Sequence, residues 1–365
     1  MKPSMLIFGE DWGRLPSSSQ HLALALQKQF RLVWVNSIGL RQPRLTDLRR
    51  LLRKGLAQSH SAGEHAPFPV IAPKVWPLAQ SRWLQRHNRQ QLARQLQPYG
   101  DFDYIWCALP SAVDYLSLYP KAEVIYYCGD DFSALAGVQH QPVVECEQRL
   151  LARCQHLFCA SETLLHKLPH ANASVLPHGV ELVKFSRPQP RPDDLPEGPI
   201  LGFYGSLAAW IDFELLHQLA QQLPQCQLVL IGHRGECPDK LLRLANVHLL
   251  PFKPHQQLPA YVQHFDVALL PFKRNAQIAA CNPLKLREYL AAGVPVISSP
   301  FAALSQYRCG IATGEGWQGF VTQIVQTLQT KPHRAGIRRQ VAGESWQHRA
   351  DSLCQRLQLP SCKLQ

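Results

Sequence analysis

Asp266-Val-Ala-Leu-Leu-Pro-Phe-Lys-Arg-Asn275 and, a few residues on, Asn282-Pro-Leu-Lys-Leu-Arg-Glu288-Tyr-Leu-Ala-Ala-Gly293-Val-Pro-Val-Ile-Ser-Ser299 carry the pattern from which the fold is read. Asp266–Phe272 is an apolar run that ends in a basic loop, as a buried strand does. Asn282 followed by Pro283 suits an N-cap with proline at the first helical position, and Gly293 suits the far end. Val294–Ser298 is again apolar and β-branched, so the stretch reads as strand, loop, helix, strand.

The same rhythm extends in both directions. Upstream, Met5–Gly9, Arg31–Asn36, Tyr104–Ala108, Val124–Cys128, His156–Ala160 and Ser174–Leu176 read as strands, with helix-like stretches such as Ser17–Gln29 and Val143–Cys154 between them. After Gly198 the alternation restarts with Ile200–Tyr204, Gln227–Ile231 and Val247–Leu249, then Val267–Leu270 and Val294–Ser298. Apolar runs separated by helices indicate parallel sheets covered on both faces. Ser186–Pro199 holds five prolines and reads as a linker. The expectation is therefore α/β, with two doubly wound Rossmann-like domains facing across a cleft. The first spans 1–185, the linker 186–199 and the second 200–337. Residues 338–365 form a crossing helix and tail, with Val341, Trp346, Leu353 and Leu357 at roughly helical spacing over Arg338–Leu357. Ligands of such sheets bind beyond the carboxyl ends of the strands.

Composition narrows the classes. With 46% hydrophobic and 18% charged residues the chain is globular and not disordered. It has no apolar run of transmembrane length, and the short apolar stretch after Met5 meets Glu10 and Asp11 at once, so no secretory leader is expected. A cytoplasmic protein is expected. None of the eleven cysteines form a C-x-x-C pair, and most have apolar neighbours, so reduced buried thiols are expected. No H-E-x-x-H occurs among the histidines, and no metal site is assigned.

The net charge of +12 is concentrated. Eleven basic residues and only Asp47 and Glu64 lie between Arg41 and Arg94. An anionic neighbour suits this stretch. Leu45–Leu56 reads as an amphipathic helix carrying Arg49, Arg50, Arg53 and Lys54. Arg82, Arg86 and Arg89 recur at helical spacing near Trp76 and Trp83. These seven basic residues are candidates for a surface facing an anionic membrane, placing the protein peripherally at its inner face. The alternative is that they only solvate exposed helices or bind a phosphorylated soluble acceptor.

Within the Asn282–Gly293 helix, Lys285 and Glu288 lie three apart and share a face. The amides that follow Pro283 begin a helix, where the dipole favours an anion. One reading puts a diphosphate at Asn282, Pro283, Leu284 and Lys285, with Glu288 accepting ribose hydroxyls; the other is an exposed Lys–Glu pair. Gly314-x-Gly316-x-x-Gly319 matches a dinucleotide fingerprint but follows no strong buried strand, and is read as a loop and helix start. Neither a G-x-x-x-x-G-K-[ST] loop nor a G-x-S-x-G elbow is present.

Pro283-Leu-Lys-Leu-Arg-Glu-Tyr-Leu-Ala-Ala-Gly-Val-Pro-Val resembles the nucleotide-sugar motif of GT-B glycosyltransferases of the group-1, family-4 type. Gly202-Phe-Tyr-Gly205-Ser206 with Trp210-Ile-Asp212, Leu228-Val-Leu-Ile-Gly232 and Leu176-Pro-His178-Gly179 resemble further landmarks of that family. Tyr126-Tyr-Cys-Gly-Asp130-Asp131 and Gly9-Glu-Asp11-Trp12 resemble N-domain loops of members that build bacterial surface polysaccharide of the teichuronic-acid kind. Ala280 stands where many members have a first motif glutamate, and Ala208-Ala-Trp-Ile replaces their usual loop cations.

The resemblance implies transfer of a sugar from a UDP- or GDP-linked donor to a glycan or lipid-linked acceptor hydroxyl, with retention and without a metal or other cofactor. Gly205 and Ser206 would line the donor pocket, with Arg234, Lys273, Arg274 and Lys285 supplying charge and Phe252 and Lys253 near the base. Asp131 and Asp130 are the candidate base, unless the pair only caps the next helix. Gly9, Asp11 and Trp12 are candidate acceptor contacts. The other readings are a sugar-nucleotide epimerase of the same fold, a non-catalytic glycosyltransferase partner, and a polyanion-binding protein. Nucleic acid is an unlikely partner, since no aromatic platform interleaves the charges.

Overall fold

The computed structural model describes residues 2–13, 17–38, 66–73, 75–76 and 81–359. The chain divides into two compact units, residues 1–177 with 349–365, and residues 178–348.

The first unit is built on a parallel sheet of β1 (Ser4–Phe8), β2 (Arg31–Val35), β3 (Val70–Ile71), β4 (Tyr104–Cys107), β5 (Glu123–Cys128), β6 (His156–Cys159) and β7 (Ala173–Val175), in the order β3-β2-β1-β4-β5-β6-β7. Every residue of β1 is buried, which is why the strand is apolar from Met5 to Phe8. Helices return the chain between strands, and two of them start on side-chain caps: Ser17 accepts from the Gln20 amide at 3.3 Å, and Ser161 from the Leu164 amide at 3.3 Å. The second unit has β8 (Ile200–Tyr204), β9 (Gln227–Ile231), β10 (Val247–Leu250), β11 (Val267–Leu270), β12 (Val296–Ser298) and β13 (Ile311–Thr313), ordered β10-β9-β8-β11-β12-β13 and all parallel. In both sheets the strand order reverses beside the first strand, between β1 and β4 and between β8 and β11. Loops diverge there and leave a crevice at the carboxyl ends.

Several expectations change. The units part at Pro177 and His178, not at 185 and 186. Ser186–Pro199 is not a free linker: Phe185 and Leu195 are buried in the second unit's core, and Gln263 holds the Gln189 amide at 3.0 Å. Proline there shapes a packed strap. β12 begins at Val296, after Pro295, which has no N–H to give a ladder. β3 and β13, two and three residues long, are edge strands too short for a periodic signal. β13 does precede Gly314, with a helix over Gly316–Thr330 after it. The proposed single helix over Arg338–Leu357 is two, Arg334–Arg339 and Trp346–Arg356, with a turn between. The turn is held because the Glu344 carbonyl accepts from the Val180 amide at 2.8 Å. Val341, Trp346, Leu353 and Leu357 are nonetheless all buried.

Ten cysteines of the described residues are free thiols, eight of them buried, as hydrophobic neighbours dictate. No helix among the described residues is long and apolar enough to cross a membrane.

Candidate functional site

In the second unit the site gathers at the β8–β11 switch point. Gly205, directly after β8, has φ 131°, and a Cβ there would stand 2.7 Å from the Lys285 Nζ. Only glycine lets the loop take this conformation and lets the ammonium reach over it. The helix that carries Lys285 and Glu288 runs Leu284–Ala292 and ends on Gly293 in the left-handed conformation. Pro283 is extended and precedes the helix, and Asn282 does not cap it. The Asn282 Oδ1 instead accepts from Arg287 Nη1 at 2.6 Å, since a fully buried guanidinium must find acceptors.

Lys285 and Glu288 are not an exposed pair. The Lys285 Nζ lies 4.7 Å from the Phe203 ring centre and 6.0 Å from those of Tyr204 and Phe272. Among the described residues no carboxylate pairs with it, and burial pulls its pKa down to about 8. Glu288 is 8% exposed. It accepts from the Tyr204 hydroxyl on Oε2 and lies 2.6 Å from His255 Nε2 through Oε1. Burial first, and then the Glu181 charge, push the Glu288 carboxyl up to about 8. The two donors oppose that push by favouring the ionised form.

The other cations separate by their partners. Arg234 pairs with Asp239, Arg274 with Glu315 at 2.5 Å, and Lys253 with Asp194 at 2.7 Å. Lys253 also lies 4.9 Å from the Tyr261 ring centre, so it braces the strap and is not a loose charge. Lys273 is exposed, with no carboxylate partner among the described residues. Ser206 is exposed beside Gly205. Phe252 is 43% exposed and stacks on His233 at 5.2 Å with 3° between planes, a flat aromatic step after β9 and β10. Ala280 is buried in the helix Ala276–Ala280, where a glutamate would need a buried counter-charge.

In the first unit, Gly9–Trp12 follows β1 and Gly129–Phe132 follows β5. A Cβ on Gly9 would fall 2.2 Å from the Trp34 ring, so only glycine fits over that indole. Trp12 meets Trp34 edge-on at 5.0 Å and Phe68 at 4.9 Å, and its amide donates to Asn36 at 3.0 Å. Asp11 is half-buried, and its carbonyl accepts from Gln20 at 3.3 Å. Asp131 is engaged on both oxygens: Lys167 pairs with Oδ2, and the Ser133 hydroxyl and amide donate to Oδ1 at 2.6 and 3.2 Å. Against the cost of burial, the hydrogen bond from Lys167 and then those from Ser133 lower its pKa, so it is a fixed anion. Asp130 is exposed and has no ion pair among the described residues; desolvation by the atoms around it, then the charges of Glu10 and Asp131, raise it to about 6. Glu10, raised chiefly by burial and accepting from Ser17 at 2.8 Å, is the member that sequence reading missed. Its only signal was an acid directly after the first strand.

Of the basic candidates, Arg49, Arg50, Arg53 and Lys54 lie outside the described residues. Arg82, Arg86 and Arg89 sit on the helix Arg82–Leu96, which has no acidic residue. Arg86 and Arg89 line a groove of about 660 Å³ with Gln90, Ala93, Ser117 and Leu118. Trp83 is 74% and Trp76 55% exposed. Asn88 holds Trp76 beside the helix through two hydrogen bonds, at 3.1 and 2.8 Å.

Residues 198–330 match the family described as glycosyl transferases, group 1. TuaH of Bacillus subtilis (strain 168), which carries the name of a teichuronic acid biosynthesis glycosyltransferase, is 28% identical over 249 residues, 61% of this chain and 62% of TuaH. The matched stretch thus spans less than two thirds of that relative. HepE of Anabaena, solved in complex with UDP and glucose, superposes with a TM-score of 0.69 at 13% identity, covering 98% of this chain and 99% of its own. Sucrose-phosphate synthase from Thermosynechococcus elongatus gives 0.71 at 16% identity, covering 98% of each chain. At such identities what is shared is the fold, two doubly wound parallel sheets of the GT-B kind.

Proposed function

From the match of residues 198–330 to the group 1 glycosyl transferases, we propose that this chain transfers a sugar from a UDP- or GDP-linked donor to an acceptor hydroxyl in bacterial polysaccharide or glycolipid synthesis. The observation that carries the reading is Lys285: a half-buried ammonium without a carboxylate partner among the described residues, over a glycine floor and one helical turn before Glu288. A donor diphosphate supplies the missing anion. As the sugar–phosphate bond breaks, negative charge grows on that diphosphate, and fixed cations at Lys285 and Lys273 stabilise it without a metal. Glu288 takes the ribose hydroxyls and the His233–Phe252 step the base. Transfer proceeds with retention. A panel of UDP, GDP and ADP in thermal unfolding tests this: one is expected to raise the melting temperature by mass action, and no shift with any of them overturns the reading.

The acceptor proton goes to Asp130, since Asp131 is held ionised by Lys167 and Ser133. Asp130→Asn should lower turnover by about a hundredfold or more, the usual contribution of a positioned base. Turnover of the native protein should fall as pH drops through about 6, because the protonated carboxyl no longer accepts. An Asn variant with native turnover removes Asp130 from the chemistry.

The basic helix with Trp76 and Trp83 is the surface we assign to an anionic membrane, bringing the first unit to a lipid-linked acceptor. Vesicle flotation at low and moderate salt should show salt-sensitive binding to anionic vesicles. Binding should be weakened when Arg82, Arg86 and Arg89 are Gln, by about 1 kcal/mol for each residue near the headgroups. Binding that ignores both salt and the substitutions overturns the docking surface alone.

A further inference from the structure

We propose that His255 is a positioning residue of the donor pocket, holding the Glu288 carboxylate as an acceptor for the ribose hydroxyls. The inference rests on the assignment of Lys285 and Glu288 to that pocket. His255 lies 33 residues before Glu288 in the chain, yet its Nε2 stands 2.6 Å from Glu288 Oε1. Its Nδ1 faces Lys184 Nζ at 3.2 Å and Glu181 Oε2 at 3.3 Å, and Lys184 donates to the same Glu181 oxygen at 2.9 Å. The Phe185 ring, 5.7 Å from the imidazole, packs against it.

An ammonium can only donate. Lys184 thus favours Nδ1 as the acceptor, which leaves the hydrogen on Nε2, directed at Glu288. Tyr204 donates to the second Glu288 oxygen. Two donors favour the ionised form of a buried carboxylate, and each oxygen keeps a lone pair for a ligand hydroxyl. Without His255, desolvation and the Glu181 charge act on that side of Glu288 against the Lys184 charge alone. The carboxyl then takes up a proton and presents a donor where the ribose also brings donors.

The test compares the nucleotide that binds best among UDP, GDP and ADP with its 2′,3′-dideoxy form, by calorimetry, with inorganic pyrophosphate as a third probe. The native protein is expected to prefer the ribose form by about tenfold, the worth of hydrogen bonds to a charged acceptor. His255→Ala should reduce that preference to within about threefold while leaving pyrophosphate affinity unchanged. His255→Gln, whose amide can occupy the Nε2 position and donate, should restore it. A full ribose preference in His255→Ala, alongside its loss in Glu288→Gln, overturns the positioning role and leaves the pocket assignment standing. Equal loss of ribose, dideoxy and pyrophosphate binding in His255→Ala makes His255 merely structural and also overturns it. Ribose preference that survives Glu288→Gln, or no binding by any of the three nucleotides, overturns the pocket assignment and the inference with it.

Discussion

Lys285→Ala is expected to weaken nucleoside-diphosphate binding and cut turnover by about tenfold or more, because one charge-assisted contact is worth roughly 1.5–3 kcal/mol. The side chain is half-buried and short of counter-charge, and aromatic rings at 4.7 and 6.0 Å cannot neutralise it. That deficit is what depresses its pKa to about 8. The sign of the pH effect follows. Below about 8 the ammonium is charged and draws the diphosphate; above, the amine is neutral and the attraction goes. Native affinity should therefore decline as pH rises past this value, while the Ala variant, lacking the group, loses that part of the dependence. Titration calorimetry at pH 7 and 9 on both proteins measures it. A folded Ala variant with native affinity would leave the diphosphate to other cations.

Arg287→Ala should be the most destabilising single change in the second unit. Arg287 is 0% exposed, and its Nε reaches Glu344 Oε2 at 2.5 Å while Nη1 reaches Asn282 at 2.6 Å. The Tyr307 ring lies 5.9 Å from the guanidinium, and its hydroxyl donates to Glu344 at 3.0 Å. Removing one partner of a buried ion pair strands the other and costs about 3–5 kcal/mol. Spread over a unit of this size, the melting temperature should fall by roughly 6–20 °C. Replacing Arg287 and Glu344 together by Leu should recover much of the loss, since the desolvation cost of both charges disappears. A single variant that melts within a degree or two of the native protein would show the pair to be energetically idle. Nucleotide affinity should fall too, because Arg287 ties Asn282 to the start of the helix that carries Lys285 and Glu288.

Much of this was legible without coordinates, for reasons that differ by residue. β1, β8, β9 and β11 were readable because strands covered on both faces must be apolar throughout, and Gly293 because a helix ends cheaply on a left-handed glycine. Lys285 and Glu288 were readable as a pair by helical spacing. Asp131 was open to a local reading as a cap, and its bonds to Ser133 are of that local kind. The bond to Lys167, 36 residues away, was not foreseeable. Likewise Asn282 looked like a cap from its neighbours, until a buried arginine five residues on claimed its oxygen.

The sequence by itself therefore determined two doubly wound parallel sheets, the capped and terminated elements, and a motif helix bearing one cation and one acid. These follow from periodicity and nearest neighbours, which a linear chain displays directly. Only the tertiary structure decided what those residues are worth. It set Gly205 beneath Lys285, 80 positions away, and so made the lysine a desolvated charge and not half of a surface pair. It carried His255 and Glu181 to Glu288, Glu10 toward Asp130, and Asp194 to Lys253. Ionisation and hydrogen-bond demand depend on burial and on charges a few ångströms away, and neither quantity is a function of distance along the chain.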